Sequence, residues 1–132
     1  LKFQDPSGMW YQVVDQGGKE GNYLETSGSA IFAYSIMKSV RMGILDKSYF
    51  KHGLKAFNGT CDKYLSEKDG ELQLDGISGL GPYDNKRRDG TFEYYMSEPI
   101  VSNDAKGVAP LVLAYIETLY YLKNSEHYTE TK

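Results

Sequence analysis

The sequence predicts an all-α fold, with about three long helices joined by long loops and one small β-hairpin. Three observations carry this. Apolar residues recur at three-and-four spacing in three separate stretches of the chain. Asp69-Gly70 sits between two short runs, the pattern of a tight hairpin turn. The 14 glycines concentrate outside the helical stretches and imply long shaped loops.

Leu1 to Gln4 reads as the tail of a preceding segment. Asp5-Pro6-Ser7-Gly8 is a turn, because proline fixes φ and glycine tolerates positive φ. Met9 to Val14 is a short extended run, and Gln16 to Asn22 is a glycine-rich surface loop. Ser27 to Met42 predicts the first helix, with Ala30, Ile31, Tyr34, Met37 (or Ile36) and Val40 on one face. Phe32 and Ala33 widen that face enough to imply burial on two sides. Gly43 supplies the stop. Asp46 is a suitable N-cap for a second helix running to about Tyr64. Its apolar positions are Tyr49, Phe50, Leu54, Phe57, Cys61, Tyr64 and Leu65. The short Gly43-Ile44-Leu45 link makes the two helices an antiparallel pair.

The hairpin is expected around Glu67 to Glu71, and Leu72 to Asp89 reads as irregular. Thr91 to Ser102 holds too few periodic positions for a helix. A third helix is expected from about Lys106 to Lys123, with Val108, Leu111, Val112, Tyr115, Ile116, Leu119 and Leu122 on one face. Pro110 belongs in its first turn, where a missing N–H does least harm. Residues 124–132 read as a polar, frayed tail. Helical faces this broad are under-covered by the rest of the chain, so they are expected to bury against helices outside this sequence.

The bulk properties narrow the function. A length of 132 residues suits a single compact unit. Hydrophobic content of 40% and charged content of 25% are those of a soluble globular protein. A net charge of −3 argues against a nucleic-acid partner. The basic cluster Lys86-Arg87-Arg88 lies between Asp84 and Asp89 and reads as a solvated loop. One cysteine, Cys61, excludes an intrachain disulfide, and its place on an apolar stripe suggests a buried structural thiol. His52 and His127 lie far apart in sequence without a neighbouring second ligand, so no metal site is expected. No membrane span is expected either, since no run approaches about 18 apolar residues. The compartment, cytoplasmic or periplasmic, is left open.

The 12 tyrosines point to carbohydrate, because a phenol offers both a flat apolar face and a hydroxyl. Gly90 to Gly107 is the densest such stretch, mixing Tyr94, Tyr95, Glu93 and Glu98 with Asn103, Asp104 and Lys106. Tyr94, Tyr95 and Glu98 are candidates for a cleft wall. Asn103 and Lys106 are candidates beside them, although Asn103 or Asp104 also suits a helix cap and Lys106 a solvated cation. Trp10 can stack on a sugar ring or fill the core, and Gln12 on an extended segment can bond a hydroxyl. Glu25 and Ser27 precede the first helix, where Thr26 or Ser27 is the expected cap.

Several blocks carry a family resemblance. They are Gly8 to Asp15 (GMWYQVVD), Asn22 to Ala30 (NYLETSGSA), Arg88 to Tyr95 (RDGTFEYY), Ser97 to Val101 (SEPIV) and Asn103 to Val108 (NDAKGV). In this order the chain resembles glycoside hydrolase family 105, the unsaturated rhamnogalacturonyl hydrolases. That family is related to the unsaturated glucuronyl hydrolases of family 88. The resemblance covers nearly the whole chain but only about the last third of the family's domain.

The resemblance implies several further expectations. The chain would be one fragment, residues 1–132, forming the C-terminal part of an (α/α)6 barrel and supplying about its last two hairpins. The ligand would be a 4,5-unsaturated galacturonyl-rhamnose oligosaccharide from bacterial pectin breakdown. In the family an aspartic acid is thought to protonate the double bond, water adds, and the hemiketal collapses to release the neighbouring sugar. No cofactor is required. The general acid is expected upstream, so no catalytic residue is assigned in this chain. The first helix N-terminus would face the barrel mouth, where N–H groups favour a uronate. Alone, the chain is expected to be inactive, and to self-associate or require the missing hairpins. The alternatives are a non-catalytic carbohydrate-binding or assembly module and an inactive truncated fragment.

Overall fold

The computed structural model describes residues 1–79 and 88–129, with side chains as far as Lys123. It opens with the expected turn, in which the Gly8 N–H donates to the Asp5 carbonyl at 2.8 Å. Strand β1 (Trp10–Tyr11) pairs antiparallel with β2 (Leu24–Glu25), Trp10 opposite Glu25. The intervening loop is organised by one side chain. Asn22 accepts from the Val13 N–H and donates to the carbonyls of Val13 and Gln16.

Helix α1 (Thr26–Arg41) matches the predicted first helix within a residue at each end. Its C-terminus closes as a Schellman motif. The Ile44 N–H reaches the Ser39 carbonyl at 2.8 Å, the Gly43 N–H reaches Val40 at 3.0 Å, and Gly43 takes φ +73°. Asp46 caps a short 3-10 turn (Lys47–Tyr49) through the Ser48 N–H at 2.9 Å, and this turn runs into α2 (Phe50–Tyr64).

The second helix packs differently from its apolar pattern. Its buried line is Phe50, Gly53, Ala56, Gly59 and Thr60. Bulky Leu54, Phe57 and Tyr64 lie at the edges, and Tyr49 is exposed. The glycines set this geometry. A Cβ on Gly53 would stand 2.6 Å from the Met37 side chain, and one on Gly59 would stand 2.1 Å from the Ser7 carbonyl oxygen. Close backbone approach, rather than interlocked large side chains, holds α2 to α1 and to the N-terminal segment.

The predicted hairpin is present as β3 (Leu65–Lys68) and β4 (Glu71–Leu74), with Lys68 opposite Glu71. Asp69 (φ +54°) and Gly70 (φ +81°) are both left-handed, as a two-residue type I′ turn requires. Strand β5 (Ile77–Ser78) follows, so the stretch after Leu72 is more regular than expected.

The segment from Thr91 to Ser102 departs further from expectation. It contains α3 (Phe92–Ser97), whose start is capped by the Thr91 hydroxyl accepting from the Tyr94 N–H at 3.2 Å. At 6 residues it is too short to show periodicity. Strand β6 (Ile100–Val101) then pairs antiparallel with β5, Ile77 opposite Val101.

Helix α4 (Ala105–Thr129) begins where predicted and runs past the expected end at Lys123, with Pro110 in its second turn. Residues 124–129 of the expected polar tail are therefore helical, because a polar sequence continues a helix already nucleated by packing. Residues 130–132, together with Asp84, Lys86 and Arg87 of the basic cluster, lie outside the described residues.

Helix α1 is central, packed against α2 on one side and α4 on the other. Two clusters form the core: Trp10, Ala33, Met37, Phe50, Ala56 and Ala114, and then Ala30, Leu74, Ile77 and Leu111. The face that α4 buries keeps Leu111 of the predicted stripe, with Val108 half-buried beside it, but is otherwise different. It consists of Gly107, Pro110, Leu111, Ala114, Glu117 and Thr118. Of the predicted stripe, Val112, Tyr115, Ile116, Leu119 and Leu122 are exposed. Apart from Leu111, small residues face α1 and the large apolar ones are turned outward.

Candidate functional site

Helices α1 and α4 begin at the same end of the molecule, and β5 joins them there. The Thr26 N–H donates to the Gly76 carbonyl at 2.9 Å, and the Thr26 hydroxyl donates to the Asp75 carbonyl at 2.7 Å. A Cβ on Gly107 would meet Ile77 at 2.6 Å and Thr26 at 3.5 Å. Two helix N-termini are thus held side by side, so that the positive ends of their dipoles adjoin.

Glu25 organises this end. At 4% exposure, its carboxylate accepts from the Gly28 N–H at 2.6 Å, the Ser27 hydroxyl at 2.8 Å and the Ser78 N–H at 3.0 Å. Glu25 therefore caps α1, in place of the expected Thr26 or Ser27. Its longer side chain reaches both the helix and β5, whereas Thr26 is turned to Asp75. Gln12 joins the group by donating to the Ser78 hydroxyl at 3.4 Å.

Tyr23 stands beside the same residues. Burial pushes its phenol up, the Ser78 hydroxyl opposes this, and the Glu25 charge adds to it. The hydroxyl is buried without a partner of full hydrogen-bond geometry, so Ser78 is near but imperfectly aligned. The Tyr64 phenol is raised as well, by burial first and then by Tyr23, Glu25 and Asp75.

Trp10 lies in the core at 7% exposure, with its ring edge against Phe32 at 4.9 Å between centroids. Of its two sequence roles, packing is the one it performs here.

Tyr94, Tyr95 and Glu98 come together on and just after α3. The two rings stand 5.4 Å apart, and Arg88 approaches Glu98 at 3.8 Å. The Tyr94 phenol is pushed up by burial and then by the Glu98 carboxylate. Its oxygen is buried beside Glu98, which raises the phenol by hydrogen bonding first and by charge second.

Asn103 and Lys106 sit at the start of α4. Asn103 is left-handed (φ +56°) and clamps β4, its amide oxygen accepting from the Leu74 N–H and its N–H donating to the Leu74 carbonyl, both at 2.8 Å. Next to it Asp75 accepts from Gln73 at 2.9 Å and from the Ser102 hydroxyl, and these bonds hold its carboxyl below the ordinary range. Asp104 caps α4 through the Lys106 N–H at 2.8 Å, and the Lys106 ammonium lies 3.8 Å from the same carboxylate.

The predicted residues thus fall into groups. Gln12, Glu25 and Ser27 meet through Ser78. Tyr94, Tyr95 and Glu98 form a second group, and Asn103 and Lys106 a third. Sequence reasoning did not single out Tyr23, Ser78 or Asp75, and it read Arg88 as part of a solvated loop, whereas Arg88 approaches Glu98. Tyr23 and Arg88 lie inside the family-like blocks, which was the signal available for them.

A groove of about 510 Å³ runs between α2, the β3–β4 hairpin and α4, lined chiefly by Phe57, Leu65, Leu74, Leu111 and Tyr115, with Asn103 at its border. Cys61 also borders it, half-buried, with its thiol pushed up by burial and then by Asp62. Its apolar lining does not suit a sugar. Among the described residues no three His, Cys, Asp or Glu side chains form a metal-binding group, and no helix is long and apolar enough to cross a membrane.

Comparison with known proteins agrees with the sequence blocks. The model of Glycosyl Hydrolase Family 88 matches residues 1–122. Protein Atu3128 of Agrobacterium fabrum is 44% identical over 124 residues, covering 88% of this chain and 53% of that protein. The 24.9 kDa protein in the picA locus of Rhizobium radiobacter matches to the same extent. The chain spans about half the length of these curated relatives.

Among solved structures, a family 105 glycoside hydrolase of C. acetobutylicum ATCC 824 superposes with a TM-score of 0.83 at 43% identity. It matches over 89% of this chain and 33% of its own. A possible family 105 member from Salmonella enterica gives 0.71 at 30% identity, over 94% of this chain and 29% of its own. The chain belongs to glycosyl hydrolase family 88, and it matches about a third of solved proteins described as members of family 105.

Proposed function

We propose that this chain supplies one part of the substrate cleft of a hydrolase acting on unsaturated galacturonyl-rhamnose oligosaccharides. The observation that carries the reading is the shared end of α1 and α4. Two helix N-termini lie there beneath a polar layer of Gln12, Tyr23, Glu25, Ser27 and Ser78. Such an end suits a sugar, because the Gln12 amide and the Tyr23 phenol are donors for its ring and hydroxyl oxygens, while the N–H groups of both helix ends are taken up by their own caps. Tyr94, Tyr95 and Glu98 on and after α3 add aromatic surface and an acceptor.

The reaction is hydration of the 4,5 double bond. An acid gives a proton to one carbon, water adds to the resulting cation, and the hemiketal opens to release the next sugar. The Glu25 and Glu98 carboxylates are both engaged, Glu25 by N–H and hydroxyl donors and Glu98 beside Arg88. Neither suits the proton donor. The general acid is assigned to sequence N-terminal to this chain, and the role here is binding and orientation. The exposed stripe of α4 from Val112 to Leu122 supports the same picture. We place it against the preceding hairpins of an (α/α)6 barrel.

The engaged carboxylates also favour a second reading, a module that binds the oligosaccharide without turning it over. Calorimetric titration with an unsaturated rhamnogalacturonan disaccharide tests both. Binding by the chain without product formation is expected under either. Turnover once the preceding hairpins are supplied favours the hydrolase, and no binding by either form removes both readings.

A further inference from the structure

Lys19 joins the β1–β2 loop to the start of α3. Lys19 stands 3.6 Å from the centroid of the Phe92 ring, 3.9 Å from the Glu93 carboxylate and 3.0 Å from the Gln16 amide oxygen. Phe92 and Glu93 open α3, and Gln16 belongs to the loop. A Cβ on Gly21 would touch the Met96 side chain at 3.5 Å, so the same loop also backs onto the end of α3. The loop itself is pre-set by Asn22, which ties Val13 to Gln16.

Phe92, Tyr94, Tyr95 and Met96 of α3 are only half-buried. The helix is 6 residues long with no fully buried residue, and isolated helices of this length do not persist in water. Its cap is exposed Thr91. A cation over a ring face is attracted by the ring quadrupole, and the nearby carboxylate adds to this.

We propose that Lys19 is a positioning residue, strapping α3 to the β1–β2 loop so that Tyr94, Tyr95 and Glu98 are presented as one rigid wall to a sugar. The proposal rests on the cleft reading above for its ligand, but not for the strap itself. Lys19 touches no substrate in this account; it acts through Phe92 and Glu93.

The test uses the full chain and the variants Lys19→Met, Lys19→Arg and Phe92→Leu. Hydrogen exchange is read at the amides of Tyr94 and Tyr95, which bond to the Thr91 hydroxyl and carbonyl. Lys19→Met is expected to accelerate both by about 3- to 30-fold, with the global unfolding midpoint unchanged. Lys19→Arg, which keeps the cation, restores protection. Phe92→Leu reproduces the acceleration, and adding Lys19→Met to it produces little further change. The Kd for the unsaturated disaccharide is expected to weaken by a similar factor in Lys19→Met and to recover in Lys19→Arg.

Unchanged exchange in Lys19→Met overturns the strap. Accelerated exchange with unchanged Kd, in a protein that binds the sugar, overturns the positioning role. If the unaltered chain binds no sugar, the cleft reading fails instead, and the exchange result alone decides whether the strap exists.

Discussion

Glu25 accepts the backbone N–H of Ser78 at 3.0 Å and so joins the cap of α1 to strand β5, 53 residues further along the chain. The same carboxylate serves Gly28 and Ser27. Replacing it removes a helix cap and orphans a buried N–H at once. Glu25→Ala is therefore expected to cost roughly 2–4 kcal/mol, combining lost capping with the unsatisfied donor. Glu25→Gln keeps one acceptor oxygen and should cost less. Urea denaturation measures both, and a loss under about 0.5 kcal/mol in Glu25→Ala would remove Glu25 from its organising role.

Arg41 and Glu117 form the other long-range lock. The Arg41 Nε donates to Glu117 at 2.6 Å and a terminal nitrogen donates at 2.9 Å, while Glu117 is 4% exposed. Arg41→Met leaves a buried carboxylate without its partner and should lower Tm clearly. The double variant Arg41→Met/Glu117→Leu should recover much of the loss, because it also removes the buried charge. Additive losses in this cycle would show the pair to be uncoupled.

Gly59 lets the N-terminal segment lie on α2. A Cβ there would stand 2.1 Å from the Ser7 carbonyl oxygen, which real atoms cannot tolerate. Gly59→Ala should cost about 1–3 kcal/mol through forced backbone shifts. It should also speed amide exchange at Met9 and Trp10, and unchanged exchange there would refute the close approach.

Stability should fall in acid. The Asp75, Asp46 and Asp89 carboxyls are held below their ordinary value of 3.8 by hydrogen bonds, chiefly from Ser102, Ser48 and Thr91. Below that value the unfolded chain binds protons that the folded chain still refuses, so stability rises with pH across the window. The contribution is complete above 3.8 and is lost as pH falls through the lower folded values. Tm measured from pH 5 to pH 2 should drop, and less steeply in Asp75→Asn. A flat profile would contradict the assignment.

The long helices were legible because their apolar spacing, the Asp46 cap and the Gly43 stop are local signals. The hairpin was legible from Asp69-Gly70 alone. What could not be read was which face each helix would bury. On α4 Leu111 is buried as predicted, but Val112, Tyr115, Ile116, Leu119 and Leu122 are exposed, while Gly107 and Ala114 face α1. Periodicity identifies an apolar stripe but not its partner. Helix α3 escaped notice because its cap and length give no periodic pattern, and the Glu25–Ser78 bond because it is fixed by tertiary contact. Of the candidate site, the Gln12–Glu25–Ser27 grouping emerged only through Ser78, a residue with no sequence signal of its own.

In the proposed division of labour this chain forms one wall of the cleft and the proton donor lies elsewhere. The most direct measurement follows the ultraviolet absorbance of an unsaturated galacturonyl-rhamnose disaccharide with two proteins. One is the chain alone, and the other is a protein joining it to preceding helical hairpins. No loss of absorbance is expected with the chain alone, and steady loss is expected with the longer protein. Loss of absorbance with the chain alone would contradict that division, as would an intact substrate after prolonged incubation with the folded longer protein.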